Sequence, residues 1–269
     1  MSTEPIDSVI RWVDGQSARA GDEVAVEEPL EIRVRGRAIS VTMRTPGHDG
    51  ELAAGFLLTE AVIRRRQDIL AIEPCDRNEA GNLLNVRLAA DVAVDFEKLT
   101  RHVFASSSCG LCGKASIEAI AANFPPIADA AAPGVDPAVL SALPGLMRQA
   151  QGGFDRSGGL HAAALFDAGG AMIVLREDIG RHNAVDKVLG HALLNGLMPA
   201  GRHVLLVSGR TSFEIMQKAL AGRVPIVTAV SAPSSLAVRF ARQNGQTLVG
   251  FLRGGRMNVY AGAQRLGLP

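Results

Sequence analysis

Two of the three cysteines in the chain stand together as Cys109-Gly-Leu-Cys112, inside Ser106-Ser-Ser-Cys-Gly-Leu-Cys-Gly-Lys114. Glycines on either side remove side-chain bulk and permit positive φ, so both sulfurs could stand exposed at a loop tip. Ala115 to Ala122 reads as a short helix. That places the thiols at a helix N-terminus, where the helix dipole and Lys114 favour the thiolate, the reactive form. The spacing fits half of a zinc site, a dithiol/disulfide pair or a nucleophilic sulfur carrier. Zinc needs two further ligands, and the nearby candidates, Cys75 and His102, are poorly spaced for it. A thioredoxin-type pair wants the motif at the start of a helix just after a strand in that fold, an order the N-terminal half does not show.

A second set of residues could bind anions. Arg176-Glu-Asp-Ile-Gly-Arg-His-Asn-Ala-Val-Asp-Lys187 gathers seven charged or imidazole side chains in twelve residues at a strand-to-helix turn. As a ligand-binding turn, His182 and Asn183 would meet a base or ribose, and Arg181 and Lys187 would meet phosphates. As a structural turn, Asp178 would cap the helix and pair with Arg181. His161, after Ser157-Gly-Gly-Leu, begins a strand and suits either a catalytic group or a satisfied core histidine. Ser208-Gly209-Arg210-Thr-Ser-Phe-Glu214 follows an apolar strand and opens a helix, where amides and hydroxyls meet a phosphate. It lacks the Gly-x-x-x-x-Gly-Lys-Ser/Thr pattern, which disfavours a P-loop NTPase. Phe251-Leu252-Arg253-Gly254-Gly255-Arg256 follows the last strand, and two arginines around paired glycines can approach a pyrophosphate closely. Three such turns at the carboxyl ends of strands reinforce one another.

The charge distribution agrees with this placement. Residues 1–135 carry 14 Lys or Arg against 20 Asp or Glu, whereas residues 136–269 carry 14 against 7. The basic half attracts an anionic ligand, although a solvated basic face would read the same way. Aromatic residues are only 4%, too few for the stacking platforms of single-stranded nucleic acid, so a small phosphorylated ligand is the expectation. No run is long and apolar enough for a bilayer, and the N-terminus has no signal-peptide pattern. With three cysteines and no disulfide framework, the reading is a reducing, cytoplasmic setting.

The elements that must position these residues divide the chain. The fold class reads as α/β, an α+β N-terminal domain followed by a cytidine-deaminase-like α/β domain with a mixed, mostly parallel sheet. The N-terminal domain spans residues 1–124, a Pro/Ala-rich linker 125–135, and the second domain 136–269. In the first, alternation from Leu30 to Met43 around Gly36 predicts a hairpin with Ile32 and Val34 facing Ile39, Val41 and Met43. Asp49 is a candidate cap for a helix from Glu51 to about Ile63, and Arg64-Arg65-Arg66 reads as its solvated end. In the second, a helix, two antiparallel strands and three helix–strand units resemble the cytidine deaminase fold. The zinc-binding His-x-Glu and Cys-x-x-Cys of those enzymes are missing, which leaves arginines and backbone amides at the corresponding turns.

Ser-Ser-Cys-Gly-Leu-Cys-Gly, Glu-Leu-Ala-Ala-Gly-Phe-Leu, Gly-Gly-Leu-His-Ala-Ala, the Arg176–Lys187 stretch, Ser-Ala-Pro-Ser-Ser-Leu-Ala-Val and Thr-Leu-Val-Gly-Phe-Leu-Arg-Gly-Gly-Arg-Met-Asn-Val-Tyr together resemble the FdhD family, the formate dehydrogenase accessory sulfurtransferases. The resemblance runs from about Leu30 to Tyr260. Ala61 stands where the family often has Gly, and Ser157 where Thr is usual. The resemblance implies a persulfide sulfurtransferase that takes sulfur from a cysteine desulfurase to the molybdenum cofactor, Mo-bis(molybdopterin guanine dinucleotide), for formate dehydrogenase. It assigns the persulfide to Cys109, leaves Cys112 to relay or release the sulfur, and points to Phe251–Arg256 as the cofactor-binding segment. GDP or GMP would mimic the nucleotide end. It further suggests a homodimer; from the residues themselves, no structural metal and neither nucleic-acid nor membrane partners are expected. A non-catalytic cofactor-binding chaperone for formate dehydrogenase remains the alternative. Because the thiols lie in the acidic part and the cofactor cradle in the basic part, the cysteine loop is expected to reach across a domain or subunit boundary.

Overall fold

The computed structural model describes residues 2–75, 81–97, 99, 124–128 and 134–269. Cys109, Cys112, His102 and the expected helix after the cysteines lie outside the described residues.

The chain opens with a feature the sequence pattern did not announce. Strands β1 (Thr3–Val13) and β2 (Gln16–Ala25) form an antiparallel ribbon that joins neither of the other sheets. Its two-residue turn, Asp14-Gly15, has φ of 48° and 87°, the positive values that suit the right-handed twist of a hairpin. Strands β3 (Glu28–Val34) and β4 (Arg37–Arg44) form the expected second hairpin. Together with β5 (Ile69–Pro74) and β6 (Leu83–Leu88) they build a four-stranded sheet ordered β4-β3-β6-β5. Its predicted facing is correct for Ile32, Val34 and Ile39, but Val41 and Met43 are exposed. The register shifts between Ile32 and Arg33, so one extra residue enters β4 and later side chains swap faces. Arg44 is thereby turned inward, to Asp49 at 2.9 Å and Glu28 at 3.1 Å. Asp49 therefore binds Arg44 rather than acting as the expected cap, and His48, with φ 59°, precedes helix α1 (Asp49–Thr59). The helix stops short of Ile63. Ala61 beyond it has φ 59°, a conformation costing an L-residue about 1–2 kcal/mol that glycine would adopt freely.

The C-terminal part follows the expected succession. Helices α2 (Pro137–Gln149) and α3 (Gly152–Ser157) precede the antiparallel pair β7 (His161–Asp167) and β8 (Met172–Asp178). Then come α4 (Arg181–Leu194), β9 (His203–Val207), α5 (Phe213–Ala221), β10 (Ile226–Ala229), α6 (Ser235–Gln243) and β11 (Thr247–Arg253). Asp136 caps α2 through the amide of Ala138, as its sequence position predicts. A further strand, β12 (Arg256–Ala261), pairs antiparallel with β11, so β11 is not the last strand. The six-stranded order is β12-β11-β10-β9-β7-β8. It is mixed, but β9–β10 and β10–β11 are its two parallel pairings, with antiparallel β7–β8, β7–β9 and β11–β12, fewer parallel than expected.

Apolar residues cover both faces of this sheet. Val185, Leu189, Ile215, Met216, Ala237 and Phe240 of α4, α5 and α6 share one core with Leu165, Leu205 and Val227. Leu140, Leu143 and Met147 of α2 cover the opposite face with Phe166, Leu206 and Val249. The four-stranded sheet has its own core, joined by Leu193 of α4. Residues 124–128, assigned to the end of one domain and the start of the linker, belong physically to the second unit: the Ile127 amide donates to the Asn244 carbonyl, and its side chain enters the α4–α6 core.

The two units lock at the crossing of α1 and α4. A Cβ at Gly55 would lie 1.8 Å from the Asp186 carbonyl oxygen, and one at Gly190 would lie 1.8 Å from that of Glu51. Only glycine lets the backbones approach this closely. No helix among the described residues is long and apolar enough to cross a membrane.

Candidate functional site

The carboxyl ends of β9, β10 and β11 and the start of antiparallel β7 lie along one edge of the sheet. This edge is where a turn between parallel strands and the next helix leaves backbone groups for a ligand. Ser208 continues β9, its amide donating to the Ala162 carbonyl and its hydroxyl accepting from the Ala162 amide at 2.9 Å. The Ser208 hydroxyl is thus committed to the β7–β9 junction. Gly209 has a different use: a Cβ there would come 3.3 Å from His161 Nδ1 and 3.7 Å from Arg181 Cδ. His161, Gly209 and Arg181 are therefore brought together, as is Arg210, which is exposed next to them.

Positive charge outweighs negative around His161. His161 is held below its ordinary pKa, first by burial and then by the positive charges of Arg181, His182 and Arg210. At neutral pH it is an uncharged imidazole among cations. The buried Arg181 Nε and the Thr211 hydroxyl have no hydrogen-bond partner among the described residues. Buried donors of this kind are normally satisfied, so both are hydrogen-bonding capacity that the described residues leave unused. His182 Nε2 lies 3.0 Å from Glu214 and 3.3 Å from the Ser212 hydroxyl. The His182 hydrogen bond holds Glu214 below the usual carboxylate range. Both partners use the same ring nitrogen, whereas a serine–histidine–acid relay needs them on opposite nitrogens. Nucleophilic serine chemistry does not fit.

The charge-dense stretch 176–187 divides into two sets. Arg176 forks onto Glu51 of α1, with His191 on the same carboxylate at 2.9 Å. Glu177 accepts from the amides of Gly153 and Phe154 at the start of α3. Asp178 is 0% exposed and accepts from Thr45 N, Gly180 N and Asn183 Nδ2. Lys187, 1% exposed, lies 2.7 Å from Asp178 and donates to the Thr45 carbonyl. Asn183 also donates to the Met43 carbonyl. Asp186 binds Lys218 and Thr59. Asn183 and Lys187 are thus corrected from phosphate and base contacts to ties between the two units, because their polar atoms are buried and paired. Asp178 turns toward Lys187 and Asn183 rather than to Arg181. Of the four candidates here, Arg181 and His182 face the strand edge.

Breaking this buried pair has a large expected cost. Lys187→Met leaves Asp178 charged and uncompensated, which should cost about 3–5 kcal/mol in denaturant unfolding. The double variant Asp178→Asn/Lys187→Met should lose less than the single, because neither charge is then stranded.

Phe251–Arg256 is the tip of the β11–β12 hairpin. Gly254 and Gly255, with φ of 56° and 72°, make its turn, and Arg253 pairs with Arg256 across it. Phe251, Arg253 and Arg256 are exposed. Leu252 is 0% exposed in the core under the sheet, so its side chain supports the tip instead of meeting a ligand. Phe251 has φ 52°, and its amide donates to the Ser231 carbonyl. A Cβ at Gly250 would lie 2.9 Å from Pro233, which links the hairpin to the turn after β10. Thr211 in turn bridges to Pro233. Thr211 and Ser212 belong to the turn whose hydroxyls the sequence offered to a phosphate, whereas Pro233 and Gly250 were not named as site residues; their signal was the small and polar turn composition after each strand.

These features and the sequence around them match one family. A family model described as FdhD/NarQ covers residues 25–267. The chain belongs to the FdhD/NarQ family. It is 51% identical over 266 residues to the sulfur carrier protein FdhD of Streptomyces coelicolor, covering 97% of this chain and 94% of that one. It is 52% identical over 260 residues to the protein of the same name from Mycolicibacterium paratuberculosis, covering 94% and 95%. A crystal structure from Desulfotalea psychrophila, provisionally named a formate dehydrogenase accessory protein, shares the fold with a TM-score of 0.79 at 24% identity, over 99% of this chain and 100% of that one.

Proposed function

We propose that this FdhD/NarQ family member is a sulfur carrier that accepts persulfide sulfur from a cysteine desulfurase and delivers it to Mo-bis(molybdopterin guanine dinucleotide) for formate dehydrogenase. The Cys109 thiolate attacks the outer sulfur of the donor persulfide; that S–S bond breaks, the donor leaves as thiolate, and Cys109 becomes the persulfide. Attack of the Cys112 thiolate on the Cys109 sulfur then forms a disulfide and expels sulfide toward the metal of the cargo. The dithiol supplies the two electrons, and a cellular dithiol restores it. The same chemistry makes the protein a sulfurtransferase rather than a passive chaperone.

The observation that carries the cofactor half of this reading is the pair of guanidiniums, Arg181 and Arg210, beside His161, with Arg181 Nε unbonded among the described residues. The exposed arginines of the Arg253–Arg256 turn extend it along the same edge. Guanidiniums hold pyrophosphate oxygens by charge-assisted, paired hydrogen bonds. Calorimetry with GDP tests this. Arg181→Ala and Arg210→Ala should each weaken binding about 10- to 100-fold, the loss of one charged hydrogen bond. An anion beside His161 raises its pKa, so binding takes up a proton and affinity should rise as pH falls from 8 to 6. GDP affinity that ignores both substitutions and pH would remove the site.

A further inference from the structure

A second basic site lies at the opposite end of the sheet from the turns described above. A cavity of about 360 Å³ is lined by Arg64, Arg65, Arg66 and Arg223 around an apolar wall that includes Leu58 and Leu193. It sits where three helices end: Leu58 in the last turn of α1, Leu193 in that of α4, and Ala221 closing α5.

Arginines near helix C-termini ordinarily complement the negative end of the dipole. Here their hydrogen bonds go elsewhere. Arg66 donates to the Ile69 carbonyl, Arg223 to the carbonyls of Pro125 and Pro126, and Arg65 to Asp68 with Asp91 at 3.7 Å. Arg64 has an exposed side chain with no partner among the described residues. Among the described residues no carboxylate lines the cavity, so the positive charges of Arg64, Arg66 and Arg223 face it without an opposing acid there.

The same geometry discriminates between anions. Three helix C-termini make the floor negative, which opposes a compact dianion such as phosphate buried deep in the cavity. Carboxylates held at the rim, with an aliphatic side chain between them against Leu58 and Leu193, meet both parts of the lining. A polypeptide carrying spaced acidic residues supplies that pattern.

The cavity also adjoins Pro125 and Pro126, which follow the cysteine motif in the sequence. Arg223 grips Pro125 and Pro126, shortly after Cys112 in the chain, and Ile127 is fixed to Asn244. We infer that the arginine-lined cavity docks an acidic segment of the protein that loads sulfur onto Cys109, so that donor and cargo meet opposite ends of the sheet. The partner's identity as the sulfur donor rests on the sulfur-carrier reading.

The test uses the full chain, a cysteine desulfurase with cysteine, and separately inorganic polysulfide as a donor that needs no docking. Arg64→Glu/Arg66→Glu reverses two exposed charges, and its melting temperature reports folding. Desulfurase affinity should fall at least about tenfold, with sulfur transfer to the Cys109 peptide falling in parallel by mass spectrometry. For the unaltered protein, affinity should weaken from 50 to 300 mM salt, and this dependence should flatten in the variant. Polysulfide loading of the same variant reports whether Cys109 is competent. If the folded variant binds and is loaded by the desulfurase like the unaltered protein, the docking site is overturned. If neither donor loads the unaltered protein, the sulfur-carrier reading fails instead.

Discussion

Cys109→Ala should lower sulfur loading by a desulfurase, and activation of formate dehydrogenase in cells carrying only the variant, by on the order of 100-fold or more. The size follows from the chemistry. Persulfide transfer needs a sulfur nucleophile to accept sulfane sulfur, and alanine supplies none. Loss of the proposed acceptor removes the proposed route instead of slowing one step of it. Cys109→Ser should behave similarly, since a hydroxyl neither ionises at neutral pH nor forms a persulfide. Cys112→Ala should separate the steps: loading of Cys109 persists while delivery falls, because the partner thiol that expels sulfide is missing. Mass spectrometry of the loaded peptide and a formate dehydrogenase assay distinguish these outcomes. A Cys109→Ala protein that still activates the enzyme would leave the cofactor-binding chaperone as the better reading. GDP binding should survive the substitution, since the nucleotide site proposed above is built from residues of the strand edge and not from Cys109.

The second large effect is structural. Gly55→Ala should destabilise the protein by about 3 kcal/mol, at or above the usual range for overpacking, with a melting temperature lower by roughly 10 °C. The added methyl would fall 1.8 Å from the Asp186 carbonyl oxygen, and that oxygen belongs to the backbone of α4, which cannot rotate away. Relief requires α1 and α4 to separate. That movement pulls on Asp186, whose carboxylate holds Thr59 and Lys218, and on Lys187, whose ammonium holds Thr45. The effect should therefore spread from one crossing to the junction of both units. Gly196→Ala is a useful contrast: it is strained by a φ of 74° but has nothing within 4 Å, so its cost should be that of backbone conformation alone. Similar melting temperatures for the two variants would show that the helix crossing yields more easily than its geometry implies.

Much of the second half of the chain was legible because strands such as Val204–Val207 and Ile226–Ala229 are short apolar runs separated by helices with clear apolar faces. The three turns along the strand edge could be read for the same reason: each is a polar or glycine-rich stretch at the end of an apolar strand. The N-terminal hairpin was harder. Most side chains of β1 and β2 are exposed, Trp12 to 69%, so neither strand shows the one-sided apolar pattern that identifies a half-buried strand. The bulge in β4 was also hidden, because a change of face needs one extra residue relative to a partner strand, and pairing is not written in β4 itself.

By itself, the sequence determined the chemical inventory: a paired thiol motif, an excess of arginine in the C-terminal half, and family-specific motifs around both. Residue type sets nucleophilicity and charge before any folding, so these could be read directly. Only the tertiary structure decided which charges remain for a ligand. Asn183 and Lys187 lie on the same helix as Arg181 and His182, yet the first two turn toward Thr45 and Met43 while the other two face the strand edge. The division depends on where the N-terminal unit packs against α4, and a buried cation must find its counter-charge there or pay heavily in desolvation.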